Sequence, residues 1–472
     1  MNYNEKILLL LASMLLIINY VETMVVPALY TIQKDFGVSS NLAGWVTTSY
    51  MIVGAAASPI MGKLADVYGK KKLYLLAILF YNIAVSLAGF SPNIYFLIFA
   101  RAIQGLGFAV FPIAISIIAD LYSKERLAYA QGILSATLGI GPALGLLLGS
   151  YIVEYLGWQA AFHTAAILSA ILLILSFKYL PITGKKVRES IDYFGSIILS
   201  ISVGLFLVYL TLGSQYGWFN LSIIYLFTSI LLIILFILYE KRIKEPLLKL
   251  EYFKIKNFAA ANIIGIFSGI AMFSLFIFFT YYSQIPKPEG LGLSIIESGN
   301  IMSPISLGML FFGPIIGKIL PKRGPKPVIF LGILLSIISF ILLIINRGTI
   351  IDLLFDGIFM SVGLSSLLIP IVNMVSISLP AEYRTTGLGL NTLLRSLGSA
   401  IGPILSTTLM QTYQVPLIDY LNNQYLVLGF LPSSTAFNYI GIFGIIFMII
   451  SAIFALFIEN YKISEKQINM SH

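Results

Sequence analysis

Apolar runs of about twenty residues recur fourteen times along this chain, divided by short polar or charged connections. A helix of that length, rising about 1.5 Å per residue, matches the roughly 30 Å hydrocarbon core of a bilayer. The runs fall near 7–30, 42–61, 73–90, 94–118, 128–153, 160–179, 192–213, 219–239, 257–282, 294–316, 327–346, 351–378, 386–410 and 436–459. In lipid, backbone amides must be satisfied within the segment, so each run is expected to be a helix. Hydrophobic residues make up 58% of the 472 and charged residues only 10%. A soluble domain carries about 25% charged residues, so a soluble globule is excluded. The expected class is an all-α polytopic membrane protein. The first run follows a short basic stretch, as a signal peptide does, but it is too long, contains Glu22 and lacks a small-residue cleavage site; it is read as the first span.

The net charge of +9 would suggest nucleic acid as a partner in a soluble protein. Counted loop by loop it says something else. Of the 29 Lys and Arg, 24 lie in alternate connections beginning with the N-terminus, and Lys34, Lys287 and Arg347 alone occupy the other set. Arg101 and Arg395 lie within spans. Such asymmetry places the basic loops, and with them both termini, in the cytoplasm. With 0 Cys there is no disulfide framework, thiol chemistry or Cys-ligated metal. The 2 His, at 163 and 472, form no metal cluster. No phosphate-binding glycine loop occurs, so this chain is not expected to use ATP. No cofactor, nucleic acid or obligatory protein partner is implied. The 33 Phe and 27 Tyr are expected mostly to face lipid or the interface, and His163 to pack near the start of its span.

A shift of 255 residues exposes a duplication. Pro59-Ile60-Met61-Gly62-Lys63 faces Pro314-Ile315-Ile316-Gly317-Lys318, Gly69 faces Gly324, and Lys71 faces Lys326. Two similar halves with a substrate site between them are a common build of secondary transporters. Six spans precede the pair at 192–239 and six follow it. The expected organisation is therefore a six-helix bundle at 1–180, two inserted helices with a cytoplasmic connection at 181–256, and a pseudo-symmetric six-helix bundle at 257–472.

Several segments carry a family resemblance. Gly62-Lys63-Leu64-Ala65-Asp66-Val67-Tyr68-Gly69-Lys70-Lys71-Lys72 resembles the loop 2–3 signature of the major facilitator superfamily. Leu97 to Gly107, with Arg101, Gln104 and Gly105, resembles its helix 4 motif. Gly139-Ile140-Gly141-Pro142-Ala143-Leu144-Gly145 resembles the helix 5 motif associated with antiporters. The stretch from Glu240 to Phe258 is similar to the connection after the extra helices. With fourteen spans, the chain resembles the drug:proton antiporter branch. The resemblance implies a cell-membrane protein that exports small amphipathic, drug-like molecules in exchange for protons by alternating access. A metabolite exporter or a substrate:proton symporter on the same scaffold is the alternative; a membrane enzyme or sensor is more distant, since no cluster of acids or output domain supports either.

Glu22 is the one acid placed well inside a span, about 8 residues or 12 Å from its outer end. Intramembrane acids face a bundle interior or a watery cavity, so Glu22 is either a proton or substrate-cation site or a paired structural residue, with Asn19 one turn back on the same face. Arg101 lies at similar depth and stays charged. The resemblance links it, beside Gln104, to proton relay; it either pairs with Glu22 in one state or ties to backbone carbonyls. Arg395 serves an anionic group or a helix kink. Asp356, opposite Arg101 under the offset but nearer the outer end, is expected to be a water-exposed cap rather than a relay. Gly62, Asp66, Gly69 and Lys70 frame a cytoplasmic turn read as a gate, with Asp66 set against a helix N-terminus; Pro321 holds its position in the second copy. Gly141, Pro142 and Gly145, with Gly139 and Gly149, leave one helix face bare and form a packed hinge.

Overall fold

A computed structural model describes residues 3–122, 124–182, 192–244, 246, 250–379, 384–421 and 424–461. Helices occur at all fourteen predicted positions. In order they are α1 (Tyr3–Met24), followed by the short α2 (Leu29–Phe36), then α3 (Ser40–Tyr68) and α4 (Lys70–Gly89). The next path is split into α5 (Ile94–Gln104), a 3₁₀ turn (Gly105–Ala109) and α6 (Val110–Leu121). There follow α7 (Lys124–Leu156), α8 (Trp158–Tyr179), α9 (Tyr193–Tyr216), α10 (Ile223–Glu240), α11 (Lys256–Gln284) and α12 (Ile295–Arg323). The last are α13 (Pro325–Ile345), α14 (Ile350–Ser378), α15 (Arg384–Thr412) and α16 (Ser434–Leu456). Between α15 and α16, where a plain loop was expected, Gln414–Leu421 (β1) and Gln424–Pro432 (β2) pair as an antiparallel hairpin.

The packing repeats itself. In the first group of helices α1 lies on α7, α3 on α5, and α4 on both α5 and α8; in the second, α11 lies on α15, α12 on α14, and α13 on both α14 and α16. The groups meet along two seams related by the same correspondence, α3 with α15 and α7 with α12. The α9–α10 pair packs beside the first seam, against α3 and α15. Among the described residues eleven helices are long and apolar enough to cross a membrane, and α7 adds a shorter apolar stretch at Ile140–Leu156. The more polar α3 and α15 face one another along a seam. A helix facing other protein rather than lipid can hold the small and polar residues that close packing requires.

The 255-residue repeat has a physical basis in two single-residue turns. Gly69 (φ +109) separates α3 from α4, and Gly324 (φ +83) separates α12 from α13. A backbone in that region suits glycine and strains other residues.

Candidate functional site

Glu22 is buried, 7% exposed, and its helix ends two residues later. The continuous span expected over 7–30 is broken: beyond Glu22 the helix runs only through Thr23 and Met24, 25–28 form a turn, and Leu29 opens α2. Pro27 has no amide to offer the Thr23 carbonyl, and its ring conflicts with a helical carbonyl at that position. The chain instead turns through bonds from Val26 N–H to Thr23 O (2.9 Å) and Ala28 N–H to Val25 O (3.0 Å) before α2 begins. The Pro27 carbonyl accepts from Gln284 Nε2 of α11 at 3.2 Å. Backbone broken at membrane depth is tolerated where protein or a cavity surrounds it, and transporters place binding sites at such breaks.

Arg101 is 0% exposed. Its Nε donates to Val46 O of α3 at 2.9 Å, and Nη1 donates to Gln104 Oε1 at 2.9 Å and to Val21 O of α1 at 3.4 Å. The guanidinium lies 4.3 Å from the Tyr50 ring centroid, a cation–π contact strengthened by desolvation. The carbonyl tie is therefore what this conformation holds, and among the described residues no ion pair joins Arg101 to Glu22. Arg101 Nη2, Gln104 Nε2 and the hydroxyls of Tyr50 and Tyr81 are buried without a partner among the described residues, so the cluster retains unused hydrogen-bonding capacity. The 3₁₀ turn directly after Gln104 brings Gly105 against the Tyr50 carbonyl, 2.4 Å from where a Cβ would stand. A short 3₁₀ stretch inside a helix often marks a hinge.

Glu22 lies within electrostatic reach of two arginines, Arg395 and Arg101. They come from opposite groups, Arg395 from α15 and Arg101 from α5. Nothing local in the sequence brings Arg395 here, because 373 residues of chain separate it from Glu22. Asn19 turns away: its Nδ2 donates to Leu15 O in its own helix at 2.8 Å.

The glycine face of α7 lies directly on α1. A Cβ on Gly141 would stand 2.4 Å from Asn19 Cβ, and one on Gly145 would stand 2.2 Å from Thr23 Oγ1 and 2.3 Å from the Tyr20 carbonyl. Thr23 Oγ1 donates to the Pro142 carbonyl at 3.0 Å. The predicted hinge thus grips the helix that carries Glu22. The second group holds a counterpart that sequence reading missed. Ile401-Gly402-Pro403 in α15 matches Ile140-Gly141-Pro142 at an offset of 261 rather than 255. There Ser274 Oγ of α11 donates to Gly402 O at 3.2 Å.

The predicted gate is only partly as expected. Gly69 forms the turn, but Gly62 lies within α3, and a Cβ there would meet nothing within 4 Å. Helical hydrogen bonding runs through it to Tyr68, so no turn needs its freedom. Lys70 bonds within the first group, to Asp120 Oδ2 at 2.6 Å and Ser116 O at 3.3 Å. The Asp66 side chain lies outside the described residues. Asp356 is no water-exposed cap: it is 1% exposed, because α14 begins at Ile350 and the capping carboxylate is Asp352, bonded to Thr349. His163 packs on Phe90, with 4.4 Å between ring centroids.

At the end opposite the basic loops the groups touch. Tyr281 packs edge-on against Tyr30, and Tyr151 Oη lies 3.5 Å from Asn300 Oδ1. A separate cavity of about 300 Å³ lies there, lined by Tyr30, Gln33, Tyr281, Gln411 and Phe430 among others.

The family description Major Facilitator Superfamily matches residues 11–403 and, in a second overlapping match, 263–469. Multidrug resistance protein 3 of Bacillus subtilis is 31% identical over 391 residues, covering 80% of this chain and 74% of that protein. Multidrug resistance protein Stp of Mycobacterium tuberculosis is 26% identical over 410 residues, covering 85% and 75%. A solved bacterial homolog of the human lysosomal transporter Spinster, in an inward-facing and unoccupied conformation, superposes with a TM-score of 0.66 at 14% identity, covering 96% of each chain. The human organic anion transporter MFSD10 (TETRAN) gives 0.63 at 16% identity, covering 96% and 100%. These last two share the fold. Repeated packing, paired seams and a broken, charged first helix coincide with these matches, and the chain is a multi-pass membrane transporter belonging to the Major Facilitator Superfamily.

Proposed function

We propose that this transporter exports small amphipathic, drug-like molecules from the cell in exchange for protons, with Glu22 occupied by proton and substrate in turn. The observation that carries the reading is the position of Glu22: buried at the break of α1, within electrostatic reach of arginines of both helix groups, on a helix gripped by the Gly141–Gly145 face. The names of the bacterial relatives support a drug-like substrate class. Rocking of the two groups about their seams changes the balance of the two arginines on Glu22, and with it the tendency of the carboxyl to hold a proton. The reading includes fourteen crossings, cytoplasmic termini, and the division at 1–180, 181–256 and 257–472. With the basic loops in the cytoplasm, the contacts between Tyr30, Tyr281, Tyr151 and Asn300 close the outer end.

Each proton moving inward contributes about 2.3 kcal/mol per 100 mV. Exchanged one for one with a neutral molecule, it sustains a gradient of roughly fortyfold, since about 1.4 kcal/mol is tenfold. The test is proton flux in liposomes holding the purified protein and an internal pH dye, under an imposed pH gradient, as lipophilic cations are added. Substrate-dependent flux that disappears in Glu22→Gln is the expected result. Flux that survives the substitution removes Glu22 from the coupling.

A further inference from the structure

Besides Glu22 in the first group, one acid of the second helix group is buried among the described residues. Asp356 sits six residues, about 9 Å, into α14 from the end opposite the basic loops, and neither carboxyl oxygen has a hydrogen-bond partner among the described residues. Ser339 Oγ of α13 donates to the Asp356 backbone carbonyl at 3.2 Å. A Cβ on the adjacent Gly357 would stand 3.2 Å from Ile305 and 3.4 Å from Pro304 of α12. The residue is thus enclosed where α12, α13 and α14 pack together.

Its electrostatic surroundings offer no relief. The nearest acid along its own helix is Asp352, one turn back. That carboxylate is engaged by Thr349 and Asn346. The other charges of the packed elements are held elsewhere or lie at the far ends: Glu297 of α12 bonds to Ser294, Lys326 of α13 to the Leu456 carbonyl, and Lys256 of α11 pairs with Glu459. Arg347, beyond α13, is taken by Ser434 and Asn438 of α16, and Arg395 of α15 lies within electrostatic reach of Glu22. A carboxylate enclosed here without a donor is costly to hold in charged form.

We propose that Asp356 is a second proton-carrying residue, loaded in this conformation and unloaded when α12, α13 and α14 separate enough for water to reach it. Release breaks the carboxyl O–H bond and passes the proton to the entering water. The carboxylate left behind is then hydrated. Under the 255-residue offset the position corresponds to Arg101, so the two groups carry opposite chemistry on equivalent helices. The proposal deepens the proton-coupled reading and rests on it for its place in the cycle.

Infrared difference spectroscopy of the full-length protein in lipid, between about pH 5 and pH 10, reads the carbonyl stretch of buried protonated carboxylic acids without any substrate. The wild type should show such a band, reversibly lost as the pH rises. Asp356→Asn should remove one component of it and Asp356→Glu should shift that component, while Glu22→Gln should leave that component in place. A band that ignores both Asp356 substitutions, or one that stays constant over the whole range, overturns the proposal. Loss of the Glu22 assignment in the flux assay leaves this band untouched, so the two readings fail separately.

Discussion

Single residues decide how closely the helices at Glu22 can approach. Gly145 has backbone and Thr23 within the space a methyl would need, whereas Gly62 has open space. Gly145→Ala should therefore destabilise the protein by about 1–3 kcal/mol, the usual range for overpacking, while Gly62→Ala, in open space within a helix, should raise the melting temperature in lipid-like detergent slightly, since alanine favours helix by about 0.5–1 kcal/mol. Equal melting for both would contradict the α1–α7 contact. Arg101→Lys tests the cluster beside it. A lysine keeps the charge but lacks the planar fork that reaches Val46 O, Val21 O and Gln104 together. Its melting temperature should fall, and transport with it; unchanged stability would mean that the carbonyl tie contributes little. At this scale the sequence was informative wherever cost was local. A lone acid, a lone arginine with its glutamine and a row of glycines each stood out in apolar surroundings. Arg395 stood out in the same way and was grouped with Glu22, but nothing local in the sequence joins the two, since only tertiary packing brings them within electrostatic reach. Asp356 was misread because Asp352, four residues earlier, takes the cap that Asp356 was expected to form.

Among the elements, the helices themselves were legible because lipid permits little else, and their ends lie within several residues of the predicted ones. The interruptions were not. Pro27 after Glu22, and the Gly105-Leu106-Gly107 stretch after Gln104, carry the local signals, but both lie inside runs apolar enough to be read as continuous. The hairpin at Gln414–Leu421 and Gln424–Pro432 lies in a connection whose alternation is weak. The two glycine turns offer a graded test. Gly69 and Gly324 share a positive φ, but a Cβ on Gly324 would also meet Asn460 Oδ1 at 2.2 Å and the Tyr461 carbonyl at 2.5 Å. The segment after α16 is tied there: Asn460 Nδ2 donates to Arg323 O at 3.1 Å and Tyr461 Oη to Asn373 Oδ1 at 2.9 Å. Gly69→Ala and Gly324→Ala should each cost about 1–3 kcal/mol from backbone strain, and at Gly324 the Asn460 and Tyr461 contacts should add to that cost. Thermal unfolding of the two variants in parallel gives the order.

For the molecule as a whole, the two seams and the matched contacts of the two groups suit rigid-body rocking around a fixed site. A chain with 0 Cys allows this to be tested cleanly. Tyr151 and Asn300 face one another across the α7–α12 seam. Cysteines at both positions, joined by a short cleavable thiol linker, should stop transport, and cleavage should restore it. Transport that continues while the linker is intact would mean that this end need not open. The repeat in the sequence foretold this symmetry, although the α7 and α15 hinges follow a different offset from the glycine turns and so escaped a single alignment.

The central claim is that proton and substrate exclude one another at Glu22. Proton release on binding measures this directly: a lipophilic cation such as tetraphenylphosphonium is added to the purified protein in weakly buffered detergent, and the pH change is recorded beside the amount bound. The account predicts about one proton released per cation bound in the wild type and none in Glu22→Gln. Binding without release in the wild type, or the same release from the variant, would contradict it.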